Sequence, residues 1–482
     1  MTAQRELREA ADEILRNAIF KGDPAVAARL AARHAEALQL DLFTAVAAGD
    51  RDEVARRLAA DPAAAARAGG PLGWPPLLYL TYMRLPGAGE HAVEIARLLL
   101  DRGADPNARW NDGWDNQFTA LTGVIALGEG VKPPHEHADA LAELLLERGA
   151  DPVDAQAFYN TSIVDDDPHW LEVLWGHSER RGVLDRWRAA PKKRLGGALP
   201  ASPLDFMLGL AVSYNHQRRA EWLLAHGANA SGRNAYSHRP LREEALAYGN
   251  EAMADLLVRH GAPATPPQGK LAFQVACRRG DRAEARRLAE QNPEWLRDPE
   301  LMLTAARERR RDIVELLLAL GMDVDLEDGS GMRALHQATA SGALDVVRLL
   351  LESGADVDRP TKHSGGAMGF AAHFGQRAAA ALLAPRSRDV HNLVFLGMQA
   401  RLRELFAAEP ALANLAHFRS RMTPLYTLPD DPSAALEMAR FLLAHGADPD
   451  VRTAGVTPAD AARKRGLQDA AALLDHGAAG VI

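Results

Sequence analysis

Residues 349–357 read Leu-Leu-Leu-Glu-Ser-Gly-Ala-Asp-Val, and the recurrence of this phrase decides the fold. It returns as LLLDRGADPNAR at 98–109, LLLERGADP at 144–152, WLLAHGANA at 222–230 and LLVRHGAPA at 256–264. It returns again as LLLALGMDV at 316–324 and FLLAHGADP at 441–449, with a last echo at Gly477. Each Leu run supplies the apolar stripe of a helix. The Gly after it can take the left-handed conformation that closes the last helical turn. Asp, Asn and Pro then turn the chain outward. Gly321 and Gly354 stand 33 residues apart, and Gly227 and Gly261 stand 34 apart. Upstream, Gly342 precedes Gly354 by 12 residues, as Gly249 precedes Gly261. The unit is therefore a short helix, a glycine turn and a second helix.

A second variant fills the gaps. Gly49 to Pro62, Gly280 to Pro293 and Gly397 to Pro410 are each spaced by 13 residues. Here Pro, which cannot continue the hydrogen-bond ladder, stops the second helix in place of Gly-Ala. These residues resemble the ankyrin repeat, with its period of about 33 residues and its T-P-L-H-x-A signature. The signature survives best as Thr423-Pro424-Leu425-Tyr426 and Thr457-Pro458-Ala459-Asp460. At both places Thr is expected to cap a helix whose first turn holds the Pro. Most other copies depart from the tetrad. His336 occupies its His position, where the resemblance implies a backbone brace and no ligand. The resemblance covers the chain from about residue 40 to the end. It implies an all-α solenoid of about a dozen helix pairs with hairpin fingers, curved, in one or two lobes. Residues 1–40 are expected to form an N-terminal helical cap. Residues 41–265 would be divergent, aromatic-rich repeats, and 270–482 more regular ones closed by a capping helix. The Pro-rich stretch 262–269 between them reads either as a link between two lobes or as one long finger of a continuous array.

A length of 482 residues allows about three ordinary domains or one long array. Lys+Arg 56 against Asp+Glu 64 leaves a net charge of −8. Proteins that grip phosphate backbones carry the opposite surplus, so no nucleic acid is expected as main partner. The single Cys277 excludes an internal disulfide framework and cysteine-based zinc fingers. It reads as a small buried hydrophobe. The opening residues interleave charge with apolar groups at helical spacing, unlike an export signal, and no stretch is apolar enough to span a membrane. The expectation is a cytoplasmic, bacterial-type protein with no membrane partner.

Aromatic residues are unevenly spread. Seven of the eight Trp lie from Trp74 to Trp222, and six of the seven Tyr from Tyr79 to Tyr248. A repeat core of Leu, Ala and Val has little room for such rings, so their clustering points to a binding surface. Trp110 and Trp114 fall on a finger after a Gly-Ala-Asp-Pro terminator, facing either a ligand or the neighbouring finger. Tyr159-Asn160, Tyr214-Asn215-His216 and Tyr236 each set a Tyr beside hydrogen-bonding groups. With Trp74, Tyr79 and Tyr82 they are candidates to line one groove. Asp165-Asp166-Asp167 before His169 reads as a helix start, or as a site for a cationic ligand through Asp165, Asp167 and His169. His135 and His137 in the long Pro-rich insertion have metal-ligand chemistry but no third placed ligand. The basic runs 186–194 and 307–311 read as solvated surface.

Phosphate-cradling loops, nucleophile elbows and zinc-protease helices do not occur in the chain. The reading is therefore a non-enzymatic, cofactor-free module that binds an unidentified protein or peptide through its concave face. The alternative is a pocket in the aromatic-rich half that binds or transforms a small molecule.

Overall fold

The computed structural model describes residues 2–19, 22–111, 117–126, 128, 133–189 and 201–476. Among them are 28 α-helices, six short 3₁₀ turns and one two-stranded sheet. The chain divides into two compact units, Met1–Thr265 and Pro266–Ile482. Unit 1 opens with the helices Thr2–Asn17 and Pro24–Arg33, then stacks helix pairs whose first members start at Leu42, Pro76, Ala120, Ala155, Pro203 and Leu241. In unit 2 the first members start at Gly269, Glu300, Ala334, Ala367, Val390, Pro424 and Pro458. The architecture is all-α and repetitive. No helix among the described residues is long and apolar enough to cross a membrane.

The terminator phrase works through backbone chemistry. Gly103, Gly149, Gly227, Gly261, Gly321, Gly354 and Gly446 all have positive φ, from 83° to 106°. The amide after each glycine reaches back five residues to a helix carbonyl, as in Ala104 to Leu99 (3.0 Å), Ala355 to Leu350 (3.0 Å) and Ala447 to Leu442 (3.0 Å). The Ala that makes this bond is itself buried at 5–6% exposure in these three copies. One small apolar residue thus ties off orphan carbonyls and plugs the gap under the turn. In the Pro variant, Pro62, Pro293 and Pro410 each open a 3₁₀ turn instead.

The two best copies of the Thr-Pro signature behave differently. Thr457 caps the helix Pro458–Lys464, accepting from the Asp460 amide at 3.1 Å in a capping box. Thr423 does not cap: its hydroxyl has no hydrogen-bond partner among the described residues, and only the 3₁₀ turn Pro424–Thr427 follows. Pro429 and Pro432 close behind it stop a helix from propagating.

Packing is between neighbours. In unit 2 the first helix of one pair lies on the first helix of the next, from Glu300–Arg307 through Ala334–Ala340 and Ala367–His373 to Val390–Phe395. The second helices Arg311–Ala319, Leu344–Glu352 and Arg377–Leu383 form a parallel row. One continuous cluster of buried side chains therefore runs from Phe273 to Leu474. The opening helices of unit 1 add a small separate cluster built on Ala11, Ile14 and Ala37.

Two glycines separate conformational from steric need. Gly354 (φ 90°) has open space where a Cβ would stand, whereas a Cβ on Gly49 (φ 71°) would lie 2.1 Å from the Ala88 carbonyl oxygen. Gly354→Ala should therefore cost only the left-handed strain, about 1 kcal/mol. Gly49→Ala should cost roughly 2–4 kcal/mol, because backbone must also move. Urea unfolding followed by circular dichroism compares them; equal costs would refute the steric part.

Candidate functional site

In unit 1 the strands Arg109–Asn111 and Gln117–Thr119 form an antiparallel hairpin that sets Trp110 opposite Phe118. Their rings stack at 4.6 Å and 13°, and Trp110 stacks in turn on Trp74 at 5.1 Å and 26°. Tyr82 meets Trp74 at 5.6 Å and presents its edge to Trp110 at 6.0 Å. The Tyr82 hydroxyl donates to the Thr119 carbonyl at 2.8 Å. The Tyr79 hydroxyl donates to the Gly69 carbonyl and accepts from the Leu72 amide, both at 3.0 Å. Trp74, Tyr79 and Tyr82 are 8%, 0% and 2% exposed.

These three residues, expected along a groove, are thus interior braces between the turn at 69–74 and the hairpin. The rings fill the space that the longer hairpin opens between neighbouring repeats, and their hydroxyls satisfy finger backbone that would otherwise be buried unpaired. Trp110 is half-buried. Trp114 lies outside the described residues.

Asn160 is another brace. Its amide nitrogen donates to the Ala126 carbonyl at 3.0 Å, and its oxygen accepts from Gln156 at 2.8 Å. Ala126 has φ 51°, so Asn160 holds a left-handed non-glycine residue at the mouth of the long insertion. Tyr159 beside it is half-buried. Asp154, which no sequence pattern singled out, is buried and caps the helix Ala155–Ser162 through the Gln156 and Ala157 amides at 3.0 Å. It also accepts from Thr119 at 2.5 Å and Thr122 at 3.1 Å, tying hairpin to helix, while burial pushes its carboxyl up.

The acidic run and the Tyr214–His216 turn do come together, around a residue the sequence reading missed. Arg219 is 1% exposed. Its backbone amide donates to Asp166 at 3.0 Å, and its guanidinium donates to the Asp167 carbonyl at 2.8 Å and to Thr161 at 3.3 Å. Burial brings Arg219 down to about 10, with the three aspartates opposing that fall. Asp167 also pairs with Arg218 at 3.5 Å, and Asp165 accepts from the Asp167 amide. The cation facing this acidic run is supplied by the same unit. His169 pairs with Asp139 at 2.5 Å, away from the run. His216 is half-buried and held low by burial, then by Arg219.

Tyr214 and Tyr236 remain on the surface, at 52% and 50% exposure. Tyr214 stacks on His216 at 5.7 Å, next to exposed Asn215 with φ 56°. Tyr236 rides on the finger between the helices Gln217–Ala225 and Leu241–Ala247, its ring 5.8 Å from Phe206 on the helix Pro203–Ser213. Buried Asn234 fixes that finger by accepting from the Tyr236 amide at 2.8 Å.

His135 is buried, its Nδ1 accepting from the His137 amide at 3.1 Å. The two rings are 6.3 Å apart. Among the described residues no group of three or more His, Cys, Asp or Glu could hold a metal ion. Trp187 in the first basic run is wholly buried, Arg186 pairs with Asp151, and 190–194 lie outside the described residues. In the second run Arg310 pairs with Asp312. Cys277 is buried and its thiol pushed up to about 12. His336 braces backbone on both sides, accepting from the Arg333 amide at 3.1 Å and facing the Arg359 carbonyl at 3.0 Å.

Comparison with known proteins bears on unit 2 most directly. The family described as ankyrin repeats (3 copies) matches residues 273–361 and 301–393. No curated protein matches the chain. Among solved structures, an ankyrin repeat domain from Acinetobacter baumannii is similar at 23% identity with a TM-score of 0.30, over 37% of this chain and 97% of that one.

Buried histidines in each unit oppose protonation of the folded chain, His135 and His336 most strongly. Burial holds His135 and His336 near 4, well below their ordinary 6.5, so the folded chain keeps both neutral. The unfolded chain binds those protons first, so stability is full above pH 6.5 and falls as pH drops toward 4. Each ring adds up to about 1.4 kcal/mol per pH unit in that window. His135→Gln with His336→Gln should flatten the fall in urea midpoint between pH 7 and 4.5. A midpoint profile as steep as the unsubstituted chain's would show that other groups govern the loss.

Proposed function

We propose that this ankyrin-repeat chain is a polypeptide-binding module that works through the first helices and fingers of unit 1, in the cytoplasm. Ankyrin repeats in general are protein-interaction modules. The observation that carries the reading is the contrast between buried and exposed aromatics. Trp74, Tyr79 and Tyr82 stiffen the fingers from inside, while Tyr236 stands half exposed on a finger whose backbone is locked by Asn234. A large amphipathic ring held on a rigid support loses little entropy on binding, which is what a polypeptide contact uses. Trp110, half-buried in the hairpin, is stacked between Trp74 and Phe118. The acidic run does not favour the small-molecule alternative, because Arg218, Arg219 and neighbouring amides occupy it.

Full-length chain and its Tyr236→Ala variant are compared by affinity capture from native lysate, with mass spectrometry of proteins and metabolites. The expected result is a polypeptide retained by the unsubstituted chain and lost by the variant, with unchanged far-UV circular dichroism. Equal capture by both, or enrichment of a metabolite without any polypeptide, would remove the proposal.

A further inference from the structure

Two fingers, one in each unit, close by the same backbone pattern. In unit 1 the Asn234 amide donates to the Arg239 carbonyl at 2.9 Å and the His238 amide to the Asn234 carbonyl at 3.0 Å, with His238 at φ 61°. In unit 2 the His417 amide donates to the Met422 carbonyl at 2.8 Å and the Arg421 amide to the His417 carbonyl at 2.9 Å, with Arg421 at φ 60°. So tight a loop turns amides inward, and they need an acceptor. Asn234 supplies it in unit 1, its Oδ1 accepting from the Tyr236 amide at 2.8 Å and the Ser237 amide at 3.1 Å. His417 supplies it in unit 2, where its Nδ1 accepts from the Arg419 amide at 3.4 Å and the Ser420 amide at 3.2 Å. In the finger at 328–332 the Asp328 carboxylate serves the Ser330 and Met332 amides, at 2.8 Å and 3.0 Å.

The three acceptors differ in what a proton does to them. An amide oxygen does not titrate near neutral pH, and a carboxylate gives way only far below it. An imidazole nitrogen accepts only while it carries no proton, because the imidazolium donates from both nitrogens. Ser420 Oγ lies 3.2 Å from the same Nδ1 and can turn to accept from the imidazolium; the two amides cannot. His417 is half-buried beside exposed Phe418, Arg419 and Ser420, so solvent reaches it. From the helix Val390–Phe395 His391 faces it, the rings 5.2 Å apart and nearly perpendicular, and His391 Nε2 donates to the Met422 carbonyl at 3.0 Å. Asp389 caps that helix. Arg419 and Arg421 belong to the loop itself, and the Arg419 guanidinium donates to the Lys362 and His363 carbonyls at 2.8 Å and 3.1 Å. The next finger, with Asp448, Asp450 and Arg452, meets the loop where Thr453 donates to the Arg421 carbonyl at 3.3 Å. Charges of both signs surround the loop, so the bond geometry at Nδ1 is what couples it to a proton.

We infer that the finger at 417–422 is an acid-released switch, locked while His417 is neutral and loosened when its Nδ1 takes a proton. Closing the loop and protonating Nδ1 exclude one another, so the open loop is the one that binds the proton and falling pH favours it. What the lock positions is the outward side of the loop. Phe418 is 65% exposed there, with the Arg419 guanidinium 5.1 Å over its ring. Asn234 gives the matching finger of unit 1 a lock without this response. The inference concerns unit 2 alone and does not rest on the polypeptide reading of unit 1.

The test is hydrogen–deuterium exchange of the full-length chain, read by mass spectrometry at about pH 7.5 and 5.5, on either side of the range where imidazoles take up protons. Rates are corrected for the intrinsic pH dependence of amide exchange. Protection of the 417–422 amides should fall by ~10-fold or more at the lower pH, the scale of two lost backbone acceptors, while that of 234–239 holds within about twofold. His417→Asn, which copies the unit 1 lock, should keep the finger protected at both pH values, and His417→Ala should leave it unprotected at both. His391→Gln should retain the pH dependence, since His391 donates to the loop and does not accept. Unaltered thermal unfolding at the higher pH certifies each variant, and the comparison between the two fingers needs none. Equal protection of 417–422 at both pH values in the unsubstituted chain, a matching fall at 234–239, a pH dependence that survives His417→Asn, or one that disappears with His391→Gln would each overturn the inference.

Discussion

A pair of helices six to thirteen residues long has two apolar faces and no means of covering both, so each pair exists by lying on its neighbours. That constraint shapes the rest of the molecule. It demands that the second helix stop where the next repeat begins, which the left-handed glycine and the buried Ala after it accomplish in copy after copy. It makes the core a line of small and branched residues, Ala305, Ala338, Val347, Ala371 and their like, with no central mass. It also pushes variation outward, into the fingers and the turns between helices.

Unit 1 shows what happens when a finger outgrows the spacing of its neighbours. The hairpin at 109–119 would stand clear of the turn at 69–74, and the gap is filled by a ladder of rings, Trp74, Trp110 and Phe118, with Tyr79 and Tyr82 below. Aromatic enrichment here is first a structural answer to a geometric problem. Asp154 performs a similar task with polar groups, joining hairpin and helix by four hydrogen bonds in a buried setting where each unmet one would be costly. What is left at the surface after these needs are met, Tyr236 and Tyr214, is a smaller and sharper set than the composition alone points to.

The acidic insertion at 165–167 follows the same logic. Three carboxylates in a row invite a ligand when read along the chain, but in the folded unit Arg218 and Arg219 come from 51 to 53 residues away and meet them. A buried arginine is tolerated there only because backbone carbonyl and hydroxyl oxygens surround it.

Read by itself, the chain determined its repeat, its helix pairs, its terminators and its all-α class, because each rests on contacts within one turn or on a spacing written in the sequence. Gly354 followed by a buried Ala355 is legible as a helix end without any coordinates. Tertiary structure alone decided that Trp74, Tyr79 and Tyr82 face inward while Tyr236 faces water, that Thr423 fails to cap where Thr457 succeeds, and that Arg219 reaches the aspartates. Those outcomes depend on which groups from adjacent repeats arrive at the same few ångströms. Distance along the chain does not encode that meeting; only the stacking of one repeat on the next brings it about.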